Sequence, residues 1–375
     1  MPPGNPLETV RTAEYFQALE NFYKVFAIRP DDKVVFLSDP YIDPRVFQAI
    51  RGICRGRGVE PDEYIRRDWN TGIFPDELKP VLEQASFVAT TWFSSIGDSF
   101  CTDTQRATGQ RTVKLTYFRN IDMLKTPQAR FPVELVGDII RGTRKLYPEN
   151  ENFELNISDD RGTSWRAQFT PDMRNRMLDS ARWRGEMLAD KPGCYVHWLP
   201  THGPNVYDRQ TKADPNQIND VQGIVFPEWA VGFPKPFEEK IGVVFEDDCI
   251  TRVEGNSKDA EILRDMLVGG TLVELGCGFN PKAPRTGIYP AGSNSPGALH
   301  WGIELAKPCE YIKKTMPMWE EPPVHMDLIS LHATVTAGNS SLIEDGFLMA
   351  LRDPDVVAAA AHYGEPVELL EAWPE

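Results

Sequence analysis

The chain has 375 residues, 41% hydrophobic and 25% charged, with 40 basic against 55 acidic side chains and a formal net charge of −15. That length exceeds one small core and suggests two domains or three, while the acidic balance lacks the basic footprint of a nucleic-acid binder. No apolar run reaches the length of a membrane span. The opening MPPGNPLETV has no basic segment followed by an apolar one, so a cytoplasmic location is expected. There the six scattered cysteines (Cys54, Cys101, Cys194, Cys249, Cys277 and Cys309) stay reduced.

Residues 12–26 place Tyr15, Phe16, Leu19, Phe22, Tyr23 and Phe26 at helical spacing, which predicts an aromatic core stripe. DDKVVFLSD reads as a short apolar strand between charged turns. Asp43 and Pro44 suit the N-cap and first position of a helix whose Phe47, Ile50 and Cys54 share one side. A helix over 76–84, strands at 86–94 and 113–118, and a helix over 132–147 continue the alternation. Strands alternating with helices predict an α/β domain with a parallel sheet over roughly 1–150.

From residue 151 the pattern changes. FELNISDDRGTSWRAQF holds two alternating runs around an Asp-Asp-Arg-Gly-Thr turn, a hairpin signal. Further β segments lie at VQGIVFPEW, IGVVFEDDCITRVEG, TLVELGCGFNP, ALHWGIEL and VHMDLISLHATV, interrupted by one helix over 257–267. They predict an α+β domain over 151–375, built on a large, mostly antiparallel sheet. Long polar connections at 200–221 and 280–297 read as loops of the functional kind. Arg161, Trp165 and Arg166 at the hairpin read as surface residues, with binding of an anionic ring as the alternative.

GCGFN (276–280) lacks the third glycine and the following helix of a dinucleotide fingerprint. GxxxxGK[ST], HExxH and GxSxG are absent, so P-loop and serine-hydrolase chemistry find no local support. All six histidines fall in the second half of the chain. On a strand, His325 and Asp327 of PPVHMDLI share one face, opposite Met326 and Leu328. Such a pair either satisfies itself by hydrogen bonding or converges on a metal or substrate. Glu274 and His300 also sit in short apolar strand-like segments. Imidazole and carboxylate together suit Zn²⁺, Fe²⁺, Mn²⁺ or Co²⁺. His197 and His202, in HWLPTHG, are candidates for acid/base work or for binding a substrate carboxylate. Glu304 shares strand parity with His300, whereas His332 has the opposite parity to His325.

Three segments occur in the order found in the thermophilic-type leucyl aminopeptidases and their relatives, the 2,5-dihydroxypyridine 5,6-dioxygenases. ELGCGFNPK at 274 resembles a GELGxGxNP-type segment, GALHWGIE at 297 a GxxHxxxG-type segment, and VHMDLI a HWDxI-type segment. The resemblance implies metal ligation by Glu274, His300, His325 and Asp327, and a homo-oligomer, most simply a dimer. In the aminopeptidases a further glutamate completes a two-metal site, but LPTHGPNV (199–206) offers His202 or Gly203 there. In the dioxygenases the His-x-Asp pair holds one Fe(II) with a second histidine, and Glu274 stands at that histidine's place. The favoured expectation is a mononuclear Fe(II) enzyme that opens the ring of a small ring-bearing or acidic substrate with O₂, as in aromatic-compound catabolism. A metallohydrolase of amides, imides or peptides, using Zn, Mn or Co, is the alternative. A ligand-binding descendant without metal is the third reading. None of these involves nucleic acid or a membrane.

Overall fold

A computed structural model of the chain describes residues 17–67, 72–115, 120–179, 186–197, 202–208, 219–285, 295–315 and 325–371. The chain divides into two compact units. One is formed by Met1–Gly137 with Ser180–Gly203, the other by Asp138–Asp179 with Pro204–Glu375. The chain thus returns once to its first unit after the stretch near 150 where the sequence suggests a single boundary. The returning segment supplies that unit's last strand.

The first unit is the expected α/β fold. Five parallel strands run in the order Asp62–Ile65, Val34–Ser38, Phe87–Thr90, Arg111–Lys114 and Tyr195–His197. The strand Val34–Ser38 is buried throughout, as a parallel strand covered on both faces must be. One face packs Phe36 on Phe47 and Phe87 on Phe26. The other gathers Val35, Leu37 and Val88 with Phe74, Leu82, Trp92 and Cys101. Asp43 caps the helix Pro44–Gly56, its carboxylate accepting the Arg45 N–H at 2.9 Å. Of the aromatic stripe, Phe22 and Phe26 are buried, while Tyr15 and Phe16 lie outside the described residues. Tyr23 departs from the expectation: it is exposed, with the Arg57 guanidinium 4.9 Å over its ring. The phenol ring tolerates the rim of the helix because a cation covers it.

The second unit carries the expected large sheet, here thirteen-stranded. Its order is Trp229–Ala230, His325–Ser330, Leu299–Glu304, Thr271–Gly278, Cys249–Glu254, Gly242–Glu246, Asn219–Val225, Ser164–Phe169, Phe153–Ser158, Thr334–Ala337, Ser340–Glu344 and Phe347–Leu348. Pairings along this path are antiparallel. Both outermost strands have only two residues, which blunts the edges against further pairing. The hairpin forms as read, with Ser158 opposite Ser164 and Gly162 at φ 105° in the turn. Trp165 is corrected from surface to core. It is 2% exposed and meets Trp301 edge-on at 5.4 Å. A strand, His202–Asp208, pairs beside Thr271–Gly278 where a loop was expected. HGPNVYD has no apolar alternation to announce it, so the neighbouring strand supplies the pattern. Among the described residues no helix is long and apolar enough to cross a membrane.

Candidate metal centre

Three adjacent strands of the second unit build the site. Across them Glu274 stands opposite Gly302, and Gly302 opposite Asp327. Residues directly opposite one another share a face of the sheet, so these three form one row. His300, two residues before Gly302, lies opposite Gly276 and Ile329 on the same face. His325, two residues before Asp327, lies opposite Glu304 on that face as well. The reverse face of the same strands carries Leu275, Trp301 and Leu328, all fully buried. Apolar burial behind these strands fixes their position, and the polar row is held rigidly in front.

A register shift between Leu272 and Glu274 aims the glutamate. Leu272 pairs with Ile303 on the core side while Glu274 pairs with Gly302 on the site side. Two residues apart, they would share a face on a regular strand. The extra residue, Val273, turns Glu274 over, a known use of a β-bulge.

The side chains converge. Nε2 of His325 lies 3.1 Å from Oδ1 of Asp327 and 4.0 Å from Oε1 of Glu274. One ligand atom from each of Glu274, His325 and Asp327 falls within 4.8 Å of the others. Nε2 of His300 approaches Oε1 of Glu274 at 3.4 Å. His300 and Asp327 are buried, and the side chains of Glu274 and His325 keep 18% and 30% exposure. Burial alone lowers the His325 pKa. The hydrogen bond to Asp327 and the charges of Asp327, Glu274 and Glu304 outweigh it and hold the imidazole up to about 9. The surrounding carboxylates thus favour the protonated imidazole.

A metal fits this arrangement on two counts. His325 Nε2 faces Asp327 at 3.1 Å and Glu274 at 4.0 Å, and one imidazole with two carboxylates is a donor set that can exchange a proton for a divalent cation. The middle of the row is also empty of side chain. A Cβ on Gly302 would overlap Cγ of Glu274 and come within 2.9 Å of its Cδ and 3.0 Å of Cε1 of His325. The glycine leaves the cradle into which both ligating groups lean, and nothing in the sequence marks it.

The remaining candidates are not members of this trio. His197 ends the edge strand of the first unit, in register with Lys114, and His202 begins the strand His202–Asp208. The side chains of both are outside the described part of the structure. His332 is exposed, its backbone N–H donating to Oε1 of Glu228 at 3.1 Å. Arg161 donates to the Phe226 carbonyl at 3.1 Å, and Arg166 pairs with Glu154 at 3.7 Å.

The chain joins a doubly wound parallel unit to a large antiparallel sheet that bears a Glu/His/Asp cluster. No protein-family model matches the sequence, nor does any curated protein. Among solved structures the chain is similar to a 2,5-dihydroxypyridine dioxygenase from Pseudomonas putida. The identity is 15% over 90% of this chain and 97% of that one, with a TM-score of 0.61. It also aligns with wild-type AmpT from Thermus thermophilus at 10% identity, over 90% of this chain and 99% of that one, with a TM-score of 0.46. The first of these two likenesses shows the fold, and at that identity the fold alone.

Proposed function

We infer that this chain is a mononuclear metal-dependent enzyme acting on a small ring-bearing or acidic substrate, most specifically an Fe(II)-dependent ring-opening dioxygenase of the dihydroxypyridine type. The observation that carries the metal is the convergence of Glu274, His325 and Asp327, with Glu274 leaning across the side-chain-free Gly302. The likeness in fold to a dioxygenase supports the choice of reaction. When bound, Fe(II) supplies the one-electron chemistry that lets an electron-rich ring and O₂ react, with open positions for both. Glu274, His325 and Asp327 would hold the ion, His325 through a deprotonated ring nitrogen. The apolar strands behind the row hold the two carboxylates and the imidazole in place, so little reorganisation is needed. His202 and His197 are the proposed bases for a substrate proton. A homo-oligomer is proposed on the family resemblance.

A metallohydrolase is the second reading, favoured by one specific feature. The trio offers two carboxylates and a single imidazole, an oxygen-rich set that suits a Lewis-acidic Zn, Mn or Co ion activating water. One experiment separates the two. The protein is purified anaerobically, its metals are quantified, and a panel of hydroxypyridines and cyclic amides is supplied with Fe(II) restored. About one iron per chain with substrate-dependent O₂ loss supports the dioxygenase. Turnover with Zn, Mn or Co that needs no O₂ establishes the hydrolase. Absence of metal binding under every condition returns His325 and Asp327 to a hydrogen-bonded structural pair.

A further inference from the structure

Resting on that metal-centre reading, we propose that His300 is a positioning residue. It is not a ligand: its Nε2–H donates to Oε1 of Glu274 and aims that carboxylate at the ion held with His325 and Asp327.

The geometry separates the two histidines. His325 belongs to the trio whose ligand atoms all lie within 4.8 Å of one another, and His300 stands outside it. His300 is 2% exposed and presents Nε2 to Glu274 at 3.4 Å. A carboxylate accepts hydrogen bonds, so with the ring proton on Nε2 this contact is a bond donated to Glu274. Register fixes the ring from both sides, with Gly276 opposite on one strand leaving room and buried Ile329 opposite on the other forming a wall. The same Oε1 also faces Nε2 of His325 at 4.0 Å. Glu274 is thereby held between a fixed donor and the ligand position. A free glutamate side chain has three rotatable bonds to order, and His300 orders them before the ion arrives. Groups that orient a ligand in this way typically change metal affinity by about 10–100-fold when removed.

The test uses the full chain loaded with Cu(II) alone, and counts coordinated imidazoles by the remote-nitrogen signal in pulsed electron paramagnetic resonance. Wild type is expected to show one imidazole. His325→Ala is expected to lose it. His300→Ala is expected to keep it, to bind about one ion per chain at saturation, and to bind about 10–100-fold more weakly. His300→Gln, whose amide also donates toward Glu274, is expected to return affinity to within about threefold of wild type, since it restores the orienting bond. Two imidazoles in wild type with one lost in His300→Ala would overturn the proposal, as would His300→Ala binding with wild-type affinity or His300→Gln binding as weakly as His300→Ala. If His300→Ala does not fold, the wild-type count and His300→Gln still decide. A wild-type chain that takes up no ion refutes the metal-centre reading itself and this inference with it.

Discussion

Replacing Gly302 by alanine adds one methyl group to the centre of the site. Its carbon overlaps Cγ of Glu274 and stands 2.9 Å from the carboxylate carbon and 3.0 Å from Cε1 of His325. Carbon atoms rest comfortably at about 3.5–4.0 Å, so Glu274 must withdraw by about 1 Å or more, most simply by changing rotamer. The fold absorbs an intrusion of this kind at about 1–3 kcal/mol. The metal does not, because one of three ligating groups has left. Disturbing only an outer partner costs about 10–100-fold in affinity, so Gly302→Ala should lose at least that much. Titration calorimetry with Mn(II), together with metal content after gel filtration, measures the loss, and a thermal melt reports the fold. Gly52→Ala is the control. It lies within the helix Pro44–Gly56, where a new Cβ meets nothing within 4 Å. It should stabilise by about 0.4–1 kcal/mol and leave metal affinity unchanged. Wild-type metal affinity in Gly302→Ala would refute the account of the cradle.

Because metal must displace the His325 proton, held up to about 9, apparent affinity should climb about tenfold per pH unit between pH 6 and 8 and level off above 9. A flat profile in calorimetry would contradict this. In the metal-free protein the sign for folding is the reverse. The folded pKa lies above the ordinary imidazole value of 6.5, so stabilisation from the pair is complete below about 6.5 and lost as pH rises through about 9. Trp301→Ala removes a fully buried ring that packs on Trp165 and Phe245, and its Nε1 donor to Ser330 Oγ at 3.1 Å. Urea unfolding should show a loss of about 3–5 kcal/mol. Burial pushes the thiols of Cys54, Cys101 and Cys277 up to about 12. Native alkylation followed by mass spectrometry should therefore label the half-buried Cys249 first and leave those three unmodified until the chain unfolds.

Both sheet types were legible because each has its own period. Continuous apolar runs such as VVFLS mark strands covered on both faces, and FELNIS with SWRAQF alternates as a hairpin does. Elements whose pattern comes from a neighbour were not legible. His202–Asp208 is a strand because Thr271–Gly278 pairs with it, and Tyr195–His197 rejoins the parallel sheet far along the chain from Arg111–Lys114. Tyr23 and Trp165 exchanged their expected places for a related reason. Helical or strand parity says which side a ring points to, but not what covers it.

The His325–Asp327 pair could be read from parity alone, since a regular strand carries both side chains to one face. Glu274 could not. In TLVELGCG the apolar Leu272 and the acidic Glu274 share parity, and a regular strand would force one of them onto the wrong face. The bulge at Val273 resolves the conflict, sending Leu272 to Ile303 in the core and Glu274 to the site. With that turn made, Glu274, Gly302 and Asp327 form a row three strands wide whose middle member has no side chain. The missing Cβ is what lets the Glu274 side chain lean across Gly302 toward His325, with Leu275, Trp301 and Leu328 packed behind the row. The hydrogen bond to Asp327 and the charges of Asp327, Glu274 and Glu304 raise the His325 pKa where burial would lower it. The raised pKa and the proposed metal site thus share one cause, carboxylates gathered on one imidazole, and Gly302 leaves the space through which Glu274 joins them.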